Sequence, residues 1–175
     1  MGRWPLPADF TAHADGRLEG AGISCRCALG RSGIVAADEK REGDGASPAG
    51  DWKVRRVWYR ADRGPAPETG LPVIALRPED GWCDAPEDPE YNRRVPLPYR
   101  ARHERMWRED GLYDLVVELG YNDDPPVPGR GSAIFLHVAQ EDYTPTEGCV
   151  AVSAEDLRAV LKQLGGGSRI RILGG

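Results

Sequence analysis

Glycine and proline occur so often in this chain that they leave little room for long helices. The 175 residues include 22 glycines and 15 prolines, and both residue types interrupt regular elements and favour turns. The length is that of one domain. We therefore expect a mainly β domain of about seven to nine short strands, with one firm helix and at most one more.

Apolar alternation and short apolar runs predict where the strands lie. Two segments on either side of Gly30, residues 23–29 and 32–37, are expected to pair as a hairpin. The other predicted strands are residues 51–58, 72–76, 112–119, 133–138, 149–152 and 168–173.

One helix has a clear beginning and a single apolar face. Ser153 and Asp156 have the spacing of a capping box, and the apolar residues that follow share one helical stripe. These residues are Leu157, Val160, Leu161 and Leu164. A second, short helix is expected over residues 100–110. It falls where six acidic residues in 79–90 are followed by six arginines in 93–108, and we expect these two charge blocks to pair.

Charge and hydropathy argue against two classes of function. The net charge of −5 is unlike that of a general nucleic-acid binder, and no apolar run approaches the ~20 residues of a membrane span. The four cysteines do not suggest a disulfide scaffold, and their spacing with three histidines does not match a zinc site. Cys25 and Cys27 are interpreted as small buried hydrophobic residues.

Reactive groups are concentrated in residues 137–149. His137 ends a strongly apolar strand, and Cys149 follows Gly148 at the end of a polar loop. A thiol attacks a carbonyl as thiolate, which an adjacent imidazole generates and stabilises, so we expect a low thiol pKa. Glycine before the nucleophile permits a positive φ, and the nearby N–H groups are suited to bind an oxyanion. The alternative is a core histidine and an inert buried cysteine.

This segment resembles the active-site signature of the L,D-transpeptidase (YkuD-type) catalytic domain, in which a His and a spacer precede Ser/Thr-x-Gly-Cys. Residues 146–149 (TEGC) match the second part and His137 matches the first. Residues 45–52 (GASPAGDW) resemble the family's Thr-Pro-x-Gly-x-Phe motif. The chain departs from the pattern at Glu147, where the family often has His, and at Ala151, where it often has Arg or Asn. The spacer is also short.

The resemblance implies a β-sandwich with one or two helices. It divides the chain into an N-terminal segment (1–19) and a catalytic domain (20–175), with an insertion near 79–108. It also implies a bacterial enzyme of peptidoglycan biosynthesis, cell wall organisation and cell shape, which transfers stem peptides through a thioester and needs no cofactor.

In that reaction Cys149 would be the nucleophile and His137 the base, with Gly148, Thr146 and Glu147 forming or positioning the oxyanion hole. A carbapenem adduct on the cysteine is a further expectation.

Alternatives stay open at this point. One is an L,D-carboxypeptidase or other hydrolase with the same dyad, and another is a YkuD-like module that binds peptidoglycan without turnover. His103, with its neighbour Glu104, and Asn122 are further candidates for substrate binding, although a solvated or salt-bridged histidine is the more ordinary interpretation of His103 and a loop residue such as Asn122 needs no function. The resemblance implies the periplasm or cell envelope, whereas residues 1–11 show no signal peptide, so a cytoplasmic location also stays open.

Overall fold

The computed structural model describes residues 7–175, in which it shows fourteen strands and one helix. The strands are β1 (Phe10–His13), β2 (Arg17–Gly20), β3 (Ile23–Arg26), β4 (Ile34–Val35), β5 (Ser47–Pro48), β6 (Gly50–Tyr59), β7 (Val73–Ala75), β8 (Asp80–Cys83), β9 (Arg94–Pro96), β10 (His103–Arg105), β11 (Leu115–Leu119), β12 (Phe135–Val138), β13 (Val150–Val152) and β14 (Arg169–Leu173). The helix is α1 (Ala154–Leu161). The mainly β class is confirmed, and the strands outnumber the prediction because several span only two or three residues.

The ten-residue strand β6 organises a nine-stranded sheet. Its first half pairs with β14 and its second half with β11 and β7, so the sheet runs in the order β13-β12-β11-β6-β14-β1-β2-β3. The two ends of this order meet, because the Ala28 and Ala151 backbones exchange hydrogen bonds of 2.8 and 3.0 Å just beyond β3. The sheet thus encloses a core that α1 completes.

The helix forms as the sequence predicts. The Ser153 side chain accepts a hydrogen bond from the Asp156 N–H, which satisfies one of the free donors at the helix start. The four apolar residues of the predicted stripe, including Leu164 just after the helix, are all buried in the main core.

A second core covers the outer face of the sheet near β11 and β12. The strands β8, β9 and β10 form a separate three-stranded sheet, which lies within the expected insertion near 79–108. From it, Trp82 and Met106 pack against Trp58, Val116 and Phe135 of the main sheet. Both faces of β11 are therefore buried, which explains its nearly continuous apolar sequence.

The predicted pairing of the two charge blocks is confirmed for three of the six arginines. Arg94 pairs with Asp80, and two further arginines contact acidic partners at 3.1–3.2 Å. The latter pairs are Arg102 with Asp84 and Arg100 with Asp88.

Two local predictions are wrong. Residues 100–110 contain β10 instead of a helix, because the backbone of His103–Arg105 pairs with β8 and this packing overrides helix propensity. The hairpin around Gly30 does not form. A turn is present there, but β3 pairs with β2 and β4 pairs with β5.

The N-terminal region contributes directly to the main sheet. Residues 10–13 form β1 between β14 and β2, so part of the expected segment 1–19 belongs to this sheet. Residues 1–6, on which part of that expectation and of the signal-peptide prediction rests, lie outside the described residues.

Replacing Ser153 with alanine tests the helix cap. We expect Ser153→Ala to lower the free energy of unfolding by about 1 kcal/mol, because the Asp156 N–H loses its acceptor. Urea denaturation measures the change. Ser24→Ala, at an exposed position of β3, serves as the control and is expected to stay within about 0.5 kcal/mol of the parent. Equal stability of the two variants would contradict the assigned cap.

Candidate active site

The parallel pairing of β12 with β13 brings Cys149 and His137 to one face of the sheet. Leu136 is opposite Val150 and His137 is opposite Ala151. Since side chains alternate between the faces of a strand, Cys149 shares a face with Ala151 and His137. Cys149 and His137 therefore occupy diagonal positions across β13 and β12, on the face turned towards the second core.

A hydrogen-bonded turn holds the cysteine at the start of β13. The Thr146 hydroxyl donates to the Cys149 carbonyl at 2.6 Å and accepts from the Gly148 N–H at 3.1 Å. Gly148 has φ 140°, and a Cβ at this position would lie 2.8 Å from the Ala46 carbonyl oxygen. Only glycine fits this turn without displacing the backbone beside it.

The Cys149 thiol is buried and held by backbone groups. Its Sγ lies 3.2 Å from the Ala133 carbonyl oxygen, to which it donates, and 3.4 Å from the Phe135 nitrogen, from which it accepts. The residue is 8% exposed. Burial raises the pKa of the thiol to about 12, with the carboxyl of Glu104 adding to the effect. The expected low thiol pKa is therefore wrong for this conformation.

The His137 imidazole is fixed by its own neighbour in the chain. Its Nδ1 lies 2.8 Å from the Val138 carbonyl oxygen. A carbonyl only accepts hydrogen bonds, so Nδ1 carries the proton and Nε2 is left as the basic nitrogen. Burial lowers the pKa of His137 to about 4, and the side chain is neutral at physiological pH.

Both side chains line one cleft of about 650 Å³. The small sheet supplies one wall, with His103, Glu104 and the nearby Arg108, and the loop before Cys149 supplies another. Acidic and basic groups line the cleft together: Lys40, Glu42, Asp84, Arg102, Glu104, Arg108 and Glu147. A cavity of this kind suits a substrate that carries both carboxylates and amines.

Tyr113 links the small-sheet wall to the dyad. Its hydroxyl donates to the Glu104 carboxylate, and its ring meets the His137 ring edge-on with centroids 5.3 Å apart. The Arg108 guanidinium lies over the same ring, 5.0 Å from its centroid. Burial raises the pKa of both Glu104 and Tyr113.

Sequence reasoning missed Tyr113 as a site residue, whereas it named Glu104, beside His103, as a candidate. Tyr113 lies two residues before β11, outside the register that places Val116 opposite His137, so strand alternation does not predict its contact with the imidazole. Glu104 reaches the cleft because β10 pairs with β8. The sequence carries no local signal for that pairing.

The other predicted site residues are divided between the cleft and its surroundings. His103 lines the cleft, with Nδ1 bonded to the Ala101 carbonyl oxygen at 2.8 Å. Glu147 also lines it, but its carboxylate pairs with Arg31 at 3.1 Å. Asn122 is not among the lining residues, since its side chain bonds to the loop of Val127 and Gly131.

Comparison with known proteins identifies the family. The L,D-transpeptidase catalytic domain (YkuD) matches residues 11–172, and the chain belongs to this family. No curated protein matches it in sequence.

Two solved structures are similar in backbone. L,D-transpeptidase 1 of Mycobacterium tuberculosis is 11% identical, with a TM-score of 0.43, covering 96% of this chain and 62% of that one. An L,D-transpeptidase from Mycobacterium smegmatis is 11% identical, with a TM-score of 0.43, covering 95% of this chain and 58% of that one. This chain thus spans about three fifths of the length of each. Among residues 7–175, no helix is long and apolar enough to cross a membrane.

The lowered pKa of His137 predicts a specific loss of stability in acid. Between pH 6.5 and about 4 the unfolded chain binds a proton at this histidine that the folded chain does not bind, so stability falls as the pH is lowered through this window. The shift corresponds to about 3 kcal/mol between pH 7 and pH 4.

Urea unfolding at both pH values, in the parent and in His137→Gln, isolates this contribution from other titrating groups. We expect the difference between the two proteins to change by that amount in favour of the variant at low pH. If the free energies of unfolding of the parent and the variant change equally with pH, the imidazole titrates normally in the folded state.

Proposed function

We propose that this chain catalyses cysteine-dependent acyl transfer on peptidoglycan stem peptides, with Cys149 as nucleophile and His137 as general base. The observation that carries the proposal is the placement of both side chains on one face of two adjacent strands, at one cleft. Membership of a family that acts on peptidoglycan supports the substrate class, and the mixed charge of the cleft is consistent with it.

The first half-reaction forms a thioester. Nε2 of His137 takes the thiol proton as the Cys149 sulfur attacks the carbonyl before the terminal D-Ala of a stem. The carbonyl electron pair moves to oxygen. When the tetrahedral intermediate collapses, the carbon–nitrogen bond breaks and His137 returns the proton to the departing amine. The acyl group then remains on Cys149.

The second half-reaction releases the acyl group to an amine of another stem. His137 takes a proton from the incoming amine as its nitrogen attacks the thioester. The carbon–sulfur bond then breaks, and the proton returns to the thiolate. The same two residues therefore serve both halves, and no cofactor enters the proton or electron balance.

The oxyanion that forms in each step needs a hydrogen-bond donor. The Gly148 N–H already donates to Thr146. The Cys149 N–H has no hydrogen-bond acceptor among residues 7–175, so it is the donor that we assign to the oxyanion. In this assignment Gly148 and Thr146 position the nucleophile turn instead of contacting the oxyanion.

Burial gives this dyad a neutral resting state. At pH 7 the thiol is protonated and the imidazole is uncharged, because burial opposes both ionised forms. The proton therefore moves as the sulfur attacks, instead of residing on the histidine beforehand. A thiol of this kind is expected to react with an acyl donor that occupies the cleft and to be slow towards small electrophiles in solution.

A carbapenem tests the nucleophile. We expect intact-mass measurement to show one adduct per chain, which disappears in Cys149→Ala, because the β-lactam carbonyl resembles an acyl donor. Cys25→Ala is the matched control, since Cys25 is the most exposed of the other three free cysteines and should not affect the adduct. A folded parent protein that forms no adduct, or an adduct that survives in Cys149→Ala, would contradict the proposal.

Replacing His137 tests the base. We expect His137→Ala to slow acylation by ~10²-fold or more, the scale of a lost general base. His13→Ala is the control. His13 lies in β1, which does not pair with β12 or β13, and its side chain bonds to Glu19. Stopped-flow or mass-based rates of adduct formation measure the change. Undiminished acylation in His137→Ala would show that the base is elsewhere, with His103 the remaining imidazole in the cleft.

A further inference from the structure

Ser47 is a buried serine in the strand that the sequence analysis linked to the family's Thr-Pro motif. It is 0% exposed and begins β5. Its hydroxyl oxygen lies 2.9 Å from the Gly30 nitrogen and 2.8 Å from the Gly148 carbonyl oxygen. One buried hydroxyl therefore joins the Gly30 turn to the residue immediately before Cys149.

The direction of both hydrogen bonds is fixed by their partners. The Gly30 N–H can only donate, so the Ser47 oxygen accepts from it. The Gly148 carbonyl can only accept, so the single hydroxyl hydrogen of Ser47 is directed to it. Gly30 permits this contact, because a Cβ there would lie 2.8 Å from the Ser47 nitrogen and 2.5 Å from the Gly45 carbonyl oxygen.

The Gly148 carbonyl belongs to the same peptide unit as the Cys149 N–H. That unit is planar, so its C=O and N–H are directed to opposite sides. Fixing the carbonyl towards Ser47 fixes the N–H away from Ser47. The hydrogen bond to the carbonyl also polarises the unit and strengthens the N–H as a donor.

Two other polar groups next to the nucleophile are occupied by the Thr146 hydroxyl. Thr146 accepts from the Gly148 N–H and donates to the Cys149 carbonyl. Within residues 7–175 neither the Cys149 N–H nor the Glu147 N–H has an acceptor, and of these two residues only Cys149 is buried. Ser47 holds the one peptide plane that carries the Cys149 N–H, and no other side chain bonds to the Gly148 carbonyl in the described part of the chain.

We propose that Ser47 is a positioning residue for catalysis, which orients the Gly148–Cys149 peptide so that the Cys149 N–H meets the oxyanion of the acyl donor. The inference rests on the proposed role of Cys149 as nucleophile. Ser47 touches neither substrate nor the sulfur in this account and acts through the backbone alone.

Two reactions of the same thiol separate this role from a structural one. Acylation by a carbapenem creates an oxyanion, whereas alkylation by iodoacetamide displaces iodide and creates none. We expect Ser47→Ala to slow the saturating rate of acylation about tenfold or more, towards the loss caused by removing an oxyanion donor. The half-saturating carbapenem concentration and the alkylation rate should stay unchanged.

A matched pair of variants isolates the hydroxyl. Thr and Val have nearly the same shape, so Ser47→Thr should retain rapid acylation while Ser47→Val should lose it. This pair also carries the test if Ser47→Ala does not fold, with near-ultraviolet circular dichroism as the check on folding. Ser168→Ala is the control for loss of another fully buried serine hydroxyl, which accepts from the Gly165 N–H outside the cleft.

The outcomes distinguish this inference from the proposed function. Slower acylation with normal alkylation, restored by Thr and not by Val, supports the positioning role. Equal slowing of both reactions shows that Ser47 only maintains the fold. If the ratio of the acylation rate to the alkylation rate in Ser47→Val equals that of the parent, the inference is overturned. A parent protein that iodoacetamide alkylates at Cys149 but a carbapenem does not acylate would instead overturn the proposed function.

Discussion

The parallel pairing of β12 with β13 is the constraint on which the site depends. It places His137 opposite Ala151 and so sets Cys149 diagonally beside the imidazole on one face. A slip of one residue in this register would turn one of the two side chains into the main core. The backbone contact between Ala28 and Ala151 holds the outer edge of β13 and protects the register.

The second core determines the chemistry of the dyad. The small sheet and the aromatic residues around Phe135 remove water from the face that carries the thiol and the imidazole. Burial then opposes charge on either group, raising the pKa of Cys149 and lowering that of His137. The proposed enzyme therefore begins from an uncharged thiol and an uncharged imidazole. The proton moves from Cys149 to His137 only when the sulfur attacks an acyl donor in the cleft.

Local sequence signals were enough to identify the elements that carry the dyad. Alternation predicted β6, apolar runs predicted β11 and β12, and the cap at Ser153 predicted α1. The spacing of glycine and cysteine pointed to the nucleophile turn, where Gly148 adopts the positive φ that was expected. These predictions depend on properties of neighbouring residues, which a single sequence displays.

Structural features that depend on strand pairing between residues far apart in the chain could not be predicted from local sequence. Residues 100–110 are predicted to form a helix from their local sequence, yet β10 forms because its backbone pairs with β8 in the small sheet. The same pairing carries Glu104 to Tyr113. The low thiol pKa was expected from the chemistry of cysteine nucleophiles in general, and it failed because the sequence does not show how completely the small sheet covers the sulfur.

The tautomer and charge of the His137 ring determine whether a free Nε2 is available to take the proton of the Cys149 thiol. Long-range 1H–15N correlation spectra of the three histidines, assigned with His137→Gln, report the tautomer and charge of each ring. We predict that His137 is neutral and protonated on Nδ1 at pH 7, and that its Nε2 resonance shifts in Cys149→Ala. A His137 ring protonated on Nε2, a charged ring, or an Nε2 resonance that does not change in Cys149→Ala would contradict the proposed role of His137.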